Sequence, residues 1–65
     1  MNWDHVKADW NVVKGTLKSR WGKLTDNDVA LIGGKWDHLV GKLQHHYGYK
    51  KDRAEREVDE FLKKS

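Results

Sequence analysis

The sequence predicts an all-α domain, a small four-helix bundle made of two helical hairpins. Three observations carry that prediction. Apolar residues recur at steps of three or four along the whole chain, which aligns them on helical stripes. Proline is absent, while the helix-favouring residues Lys, Leu, Asp, Glu and Ala are plentiful. The chain also repeats itself: a shift of 26 places lays Trp10 on Trp36, Val13 on Leu39, Gly15 on Gly41, Leu17 on Leu43, Trp21 on Tyr47 and Gly22 on Gly48.

The first helix is predicted from the stripe Trp3, Val6, Trp10, Val13, Leu17, Trp21 and Leu24. Asn2 or Asp4 is placed to cap its start, and Gly22 sits where a left-handed C-terminal cap belongs. Thr25-Asp-Asn-Asp28 then has the form of a capping box with Asp in place of Glu. It opens a short helix through Val29 and Ile32 that stops at Gly33-Gly34. A third helix starts near Lys35, with Trp36, Leu39, Val40, Leu43 and Tyr47 on its apolar face and Gly48 as terminator. The fourth runs from about Lys51 to Lys63 and buries Ala54, Val58, Phe61 and Leu62. Asp52, Glu55 and Glu57 come early and Lys63 and Lys64 late, as the helix dipole favours, with Lys50 and Lys51 as the exceptions.

Each half is therefore a long helix, a glycine stop and a following helix. One amphipathic hairpin cannot cover its own apolar face, so the two must pack together. Orthogonal packing of the hairpins, as in SAM-domain-like or helix-hairpin-helix-like folds, is the simplest arrangement. At 65 residues there is room for one domain spanning 1–65. So short a chain buries only about 60% of its unfolded surface, and with no cysteine it has neither disulfides nor thiolate zinc sites to support it. Four Trp, two Tyr and one Phe must supply the burial instead.

The longest uninterrupted apolar run is Val29 to Ile32, far too short for a membrane span or a signal peptide. The expectation is an intact, cytoplasmic, soluble monomer with no membrane partner. The net charge of +3 arises from 13 basic and 10 acidic residues, mixed in both halves. Such mixing describes a solvated surface better than a nucleic-acid footprint.

Chemistry finds little purchase. His45 and His46 are neighbours, so they point about 100° apart on a helix and share no chelating face. His38 and His45 are two turns apart, and no His–carboxylate spacing has the form of a zinc signature. Thr16, Ser19 and Thr25 have surface or capping explanations, and no phosphate-cradling loop is present. No metal, no cofactor and no enzymatic activity are therefore expected.

Candidate interaction residues remain. Gly15 and Gly41 lie inside helices, where glycine costs about 1 kcal/mol against alanine. Each is roughly 140° from its helix's apolar stripe, and Ala8, Ser19 and Gly22 fall near the Gly15 side. A second packing contact, where backbones approach closely, is the favoured explanation; a docking groove for a partner helix or a ligand is the other. Trp36 either extends its helix's stripe or forms part of an exposed patch, and Trp3 poses the same question. The turn Tyr47-Gly48-Tyr49 leads into Lys50, Lys51 and Arg53, a setting that can hold a phosphate. Asp52, Glu55 and Glu57 follow at once and oppose it. A nucleic-acid surface would draw on Lys35, Lys42, Lys50, Lys51 and Arg53, but it is not favoured, and a protein partner fits as well.

Several of these segments together resemble a known family. Trp21-Gly-Lys-Leu-Thr-Asp26, Gly34-Lys35 with Asp37, Leu39-Val-Gly-Lys-Leu-Gln44, Tyr47-Gly-Tyr49 and Ala54-Glu55 with Glu57-Val58 look like the CsbD-like family of small bacterial stress-response proteins. Trp10 and Lys14-Gly15 fit too, so the resemblance covers about residues 10–61. It implies a cytosolic bacterial protein that accumulates under general stress, folded as two helical hairpins, and it brings no catalytic residue, substrate or cofactor. The chain departs from the family's pattern at Trp36, where a basic residue is usual, and at Lys7-Ala8, which replaces a glycine-bearing approach to Trp10.

Overall fold

A computed structural model describes residues 2–64. Among them are five helices and no strand: α1 Trp3–Ala8, α2 Trp10–Arg20, α3 Asp26–Ile32, α4 Trp36–Tyr47 and α5 Lys51–Lys64. The all-α class stands, but the helix expected over residues 3–21 is two helices broken at Asp9. Asn2 caps α1 by accepting from the His5 N–H at 3.0 Å. Asp9 then leaves helical geometry (φ −107°, ψ 33°), and its carbonyl accepts from Val12 and Val13 at 2.9 and 3.0 Å. An unbroken helix over 3–20 would be about 27 Å long, nearly the molecule's longest dimension of 28 Å. The break instead returns α1 to the core, where Val6 is fully buried and the Trp3 indole donates to the Gly34 carbonyl at 2.9 Å.

The turn after α2 also differs from expectation. Trp21 itself ends the helix with φ −118°, its N–H donating to Leu17 O, and Leu24 N–H closes the turn on Trp21 O at 2.9 Å. Gly22 is exposed and does not adopt the left-handed conformation. The left-handed caps are Gly33 (φ +55°) after α3 and Gly48 (φ +69°) after α4. The Thr25 capping box is complete: Thr25 Oγ1 accepts from Asp28 N–H at 3.1 Å, and Asp28 Oδ2 accepts from Thr25 N–H at 3.0 Å. Thr25→Ala is expected to cost about 1 kcal/mol, read as a lowered urea midpoint with an unchanged slope.

Sequence neighbours pack on one another throughout: α1 on α2, α2 on α3, α3 on α4 and α4 on α5. Their shared core contains Val6, Val13, Leu17, Trp21, Leu24, Val29, Ile32, Leu39, Val40, Leu43, Ala54, Val58 and Phe61. Leu62 and the tryptophans Trp3, Trp10 and Trp36 lie half-buried against it. Shifting α2 by 26 places gives 36–46, inside α4, and shifting α3 gives 52–58, inside α5. The repeat therefore aligns helix with helix. Its buried pairs hold at Val13 with Leu39 and at Leu17 with Leu43, while Gly22 and Gly48 part company in backbone conformation. The surface of 4226 Å² is close to the roughly 4,300 Å² of a compact monomer of this mass.

The packing role expected of Gly15 and Gly41 does not hold. Both are exposed, and a Cβ placed on either would meet no neighbouring atom within 4 Å. No second backbone comes within that distance of either position. Gly15→Ala and Gly41→Ala should therefore each stabilise the fold by about 0.5–1 kcal/mol, adding in the double variant. Urea denaturation of the three variants checks this.

Candidate interaction surface

The most developed polar cluster joins α3 to α4. Asp28, only 8% exposed, is the inner arm of the capping box. Its Oδ1 lies 3.3 Å from Lys42 Nζ, and its Oδ2 lies 2.8 Å from His46 Nε2. The histidine contact does not meet hydrogen-bond geometry, and it is an ion pair only when the imidazole is protonated. Lys42 and His46 stand one turn apart on α4 and grip one carboxylate together. The backbone N–H of Thr25 is the main influence holding the Asp28 carboxyl down, to about 2. Burial opposes this, while the Thr25 hydroxyl, Lys42 and His46 assist.

An unfolded Asp titrates near 3.9, so the folded value is the lower one. The stability that this linkage provides is complete above about pH 4 and is lost as pH falls toward about 2. Asp26, held low by the Lys18 ammonium that bonds to it, contributes in the same direction. Asp28→Asn keeps the shape of the box and removes the charge. A urea midpoint measured against pH should then lose most of its acid limb, leaving the Asp26 part.

This cluster reassigns one candidate residue. Lys42 is half-buried on Asp28 rather than standing free for a phosphate. Arg53 is also engaged: its guanidinium lies 4.6 Å from the Tyr49 ring centre and its Nε 3.7 Å from Glu57. Tyr49 stacks on Tyr47 at 5.3 Å, and the Lys23 ammonium lies 4.9 Å from the Tyr47 ring centre. The Tyr47-Gly48-Tyr49 turn is thus a layered cation–aromatic stack tying the α2–α3 turn to the start of α5. Lys50 and Lys51 are exposed at that start. Lys35 is exposed ahead of α4, and Trp36 separates two hollows: one bordered by Lys35 with Trp3 and Lys7, the other by Lys51 with Val40 and Gln44. Lys50, Lys51 and Arg53 share the start of α5, while Lys42 belongs to the Asp28 cluster and Lys35 to the hollow beside Trp3.

A third feature is apolar. Between the end of α3 and the outer face of α4 runs an open groove of about 410 Å³, bordered by Leu31, Asp37, His38, Gly41, Lys42 and His45. Leu31 is 56% exposed, and its carbonyl is 3.2 Å from His38 Nδ1. Gly41 forms the floor of this groove because it has no side chain to fill it. Its repeat partner Gly15 is exposed on α2 near Val12, which is 73% exposed. The sequence singles out Gly41 by its cost to the helix, whereas Leu31, inside the apolar run Val29 to Ile32, carries no sign of its exposure. The Asp28 clamp is also missed from sequence; the one local signal is the four-residue spacing of Lys42 and His46.

Among the described residues, no group of three or more His, Asp or Glu side chains is placed to hold a metal ion, and no helix is long and apolar enough to cross a membrane.

Known proteins align closely with this chain. It is 53% identical over 64 residues to the UPF0337 protein YjbJ of Escherichia coli O6:H1, covering 98% of this chain and 93% of the relative. Against YjbJ of E. coli K12 it is 55% identical over 58 residues, 89% of this chain and 84% of the other. The UPF0337 protein pc0632 of Protochlamydia amoebophila is 47% identical over 64 residues, 98% and 97% of the two chains. The family description "CsbD-like" matches residues 4–56, so the likeness begins earlier than the motifs alone indicated and takes in most of α1. With α2 to α4, the capping box and the glycine caps inside that span and α5 beginning within it, the chain belongs to the CsbD-like family.

Proposed function

We propose that this chain is a non-enzymatic, cytoplasmic stress-response protein that works through its surface, and that the groove floored by Gly41 is the working part of that surface. The stress role rests on membership of the CsbD-like family. The choice of surface rests on one observation: a glycine inside α4, costly to the helix, faces open space beside a 56% exposed leucine. A residue that lowers stability without serving the core is explained by what its absent side chain admits. A nucleic-acid role has less support, since Lys42 and Arg53 are paired with carboxylates.

The test is genetic. Deleting the gene should lower survival of stressed cells, and wild-type protein should restore it. Gly41→Gln, which fills the groove with a good helix former, should accumulate to normal levels and fail to restore it. Full protection by Gly41→Gln would overturn the assignment of this surface.

A further inference from the structure

The groove has a symmetry that identifies an occupant. On α4 the residues one turn either side of Gly41 are Asp37 and His45, and all three border the groove. They form a single row at four-residue spacing: acid, glycine, imidazole. In the commonest helix packing such rows on two helices run alongside each other, with axes crossing at about 50°. If a second α4 is laid antiparallel across the first with a two-fold axis at Gly41, position 41−4 of one meets position 41+4 of the other. Asp37 then faces His45 of the second copy, and His45 faces its Asp37. The row is its own complement when reversed. Glycine at the axis lets the two backbones close together, and the partner helix covers Leu31.

We infer that this chain associates with a second copy of itself through the Leu31–Gly41 groove as an isologous, antiparallel α4 pair. The inference rests on the reading that this groove is the working surface, and it names the partner. The charged and titratable groups facing the groove are Asp37, His38, Lys42 and His45, all from α4; α3 contributes only Leu31. Lys42 is already held by Asp28, and His38 is engaged at the Leu31 carbonyl. His45 touches the edge of His46, with ring centres 5.1 Å apart, and faces no carboxylate among the described residues, which leaves it for Asp37 of the other copy. One groove buries well under the roughly 800 Å² per partner of a standard interface, so the pair is a weak, concentration-dependent one.

Sedimentation equilibrium of the full chain from about 10 μM to about 1 mM tests this at about pH 5.5 and at about pH 8. A reversible dimer is expected, about tenfold tighter at the lower pH because two exposed ion pairs form. Gly41→Gln should weaken it by about tenfold or more while circular dichroism stays helical. Asp37→Lys should also weaken it, and Asp37→Lys combined with His45→Glu should restore association and abolish its dependence on pH. A monomer at every concentration, or a dimer indifferent to Gly41→Gln, overturns the inference. A strict monomer whose Gly41→Gln variant still fails in stressed cells would overturn the self-association and leave the working surface standing. A dimer broken by Gly41→Gln without any effect in cells would do the reverse.

Discussion

Trp21→Ala should cost about 3–5 kcal/mol, enough to leave much of the chain unfolded at 37 °C. A 65-residue domain has only roughly 3–10 kcal/mol of total stability to lose. Trp21 is the largest side chain in the core and is 3% exposed. Its ring meets Phe61 of α5 at 5.4 Å between centres, tilted 49°, so it joins the end of α2 to the last helix. The Arg20 guanidinium lies 5.4 Å from the ring centre and covers part of its outer side. Removing the indole therefore opens a cavity where two distant parts of the chain meet. Thermal and urea unfolding followed by circular dichroism provide the measurement, with Trp21→Phe expected to retain most of the stability.

Leu43→Ala carries the second largest expected effect, a loss of about 2–5 kcal/mol. Leu43 is fully buried on α4, the helix that packs on both α3 and α5. Its repeat partner Leu17 is just as buried but sits on α2, beside α1 and α3. The comparison of the two variants tests whether the repeat is energetic as well as geometric. Similar losses are expected, since each leucine fills the centre of one helical pair. A loss for Leu17→Ala below about 1 kcal/mol would show that the first half is loosely packed.

The parts of this fold that could be read in the sequence are those fixed by local chemistry. Thr25 and Asp28 form a capping box because both partners lie within four residues, and Gly33 and Gly48 take the left-handed geometry that helix ends favour. The stripes through Leu39 and Leu43 on α4 and through Ala54 and Val58 on α5 are buried as their spacing requires. Asp9 escaped notice because Val6, Trp10 and Val13 keep helical phase across it, so periodicity carries no sign of a break. Gly22 invited the wrong cap because a glycine marks where a chain can turn left-handed, not where it must. The surface was harder still. A helical wheel places Gly41 away from the core stripe, but only the third dimension shows whether another element lies over it. Lys42 looked like a free cation until α3 set Asp28 beside it.

The neighbour-on-neighbour packing of α1 through α5 has a kinetic consequence. Contacts that join each helix mainly to the one just before it demand little loop closure, and chains of this kind fold in microseconds to milliseconds. Each helix can begin to settle on its predecessor as it leaves the ribosome, leaving only contacts such as Trp3–Gly34 and Trp21–Phe61 to close later. A cell could therefore raise the amount of this protein abruptly without lengthening the queue for its chaperones.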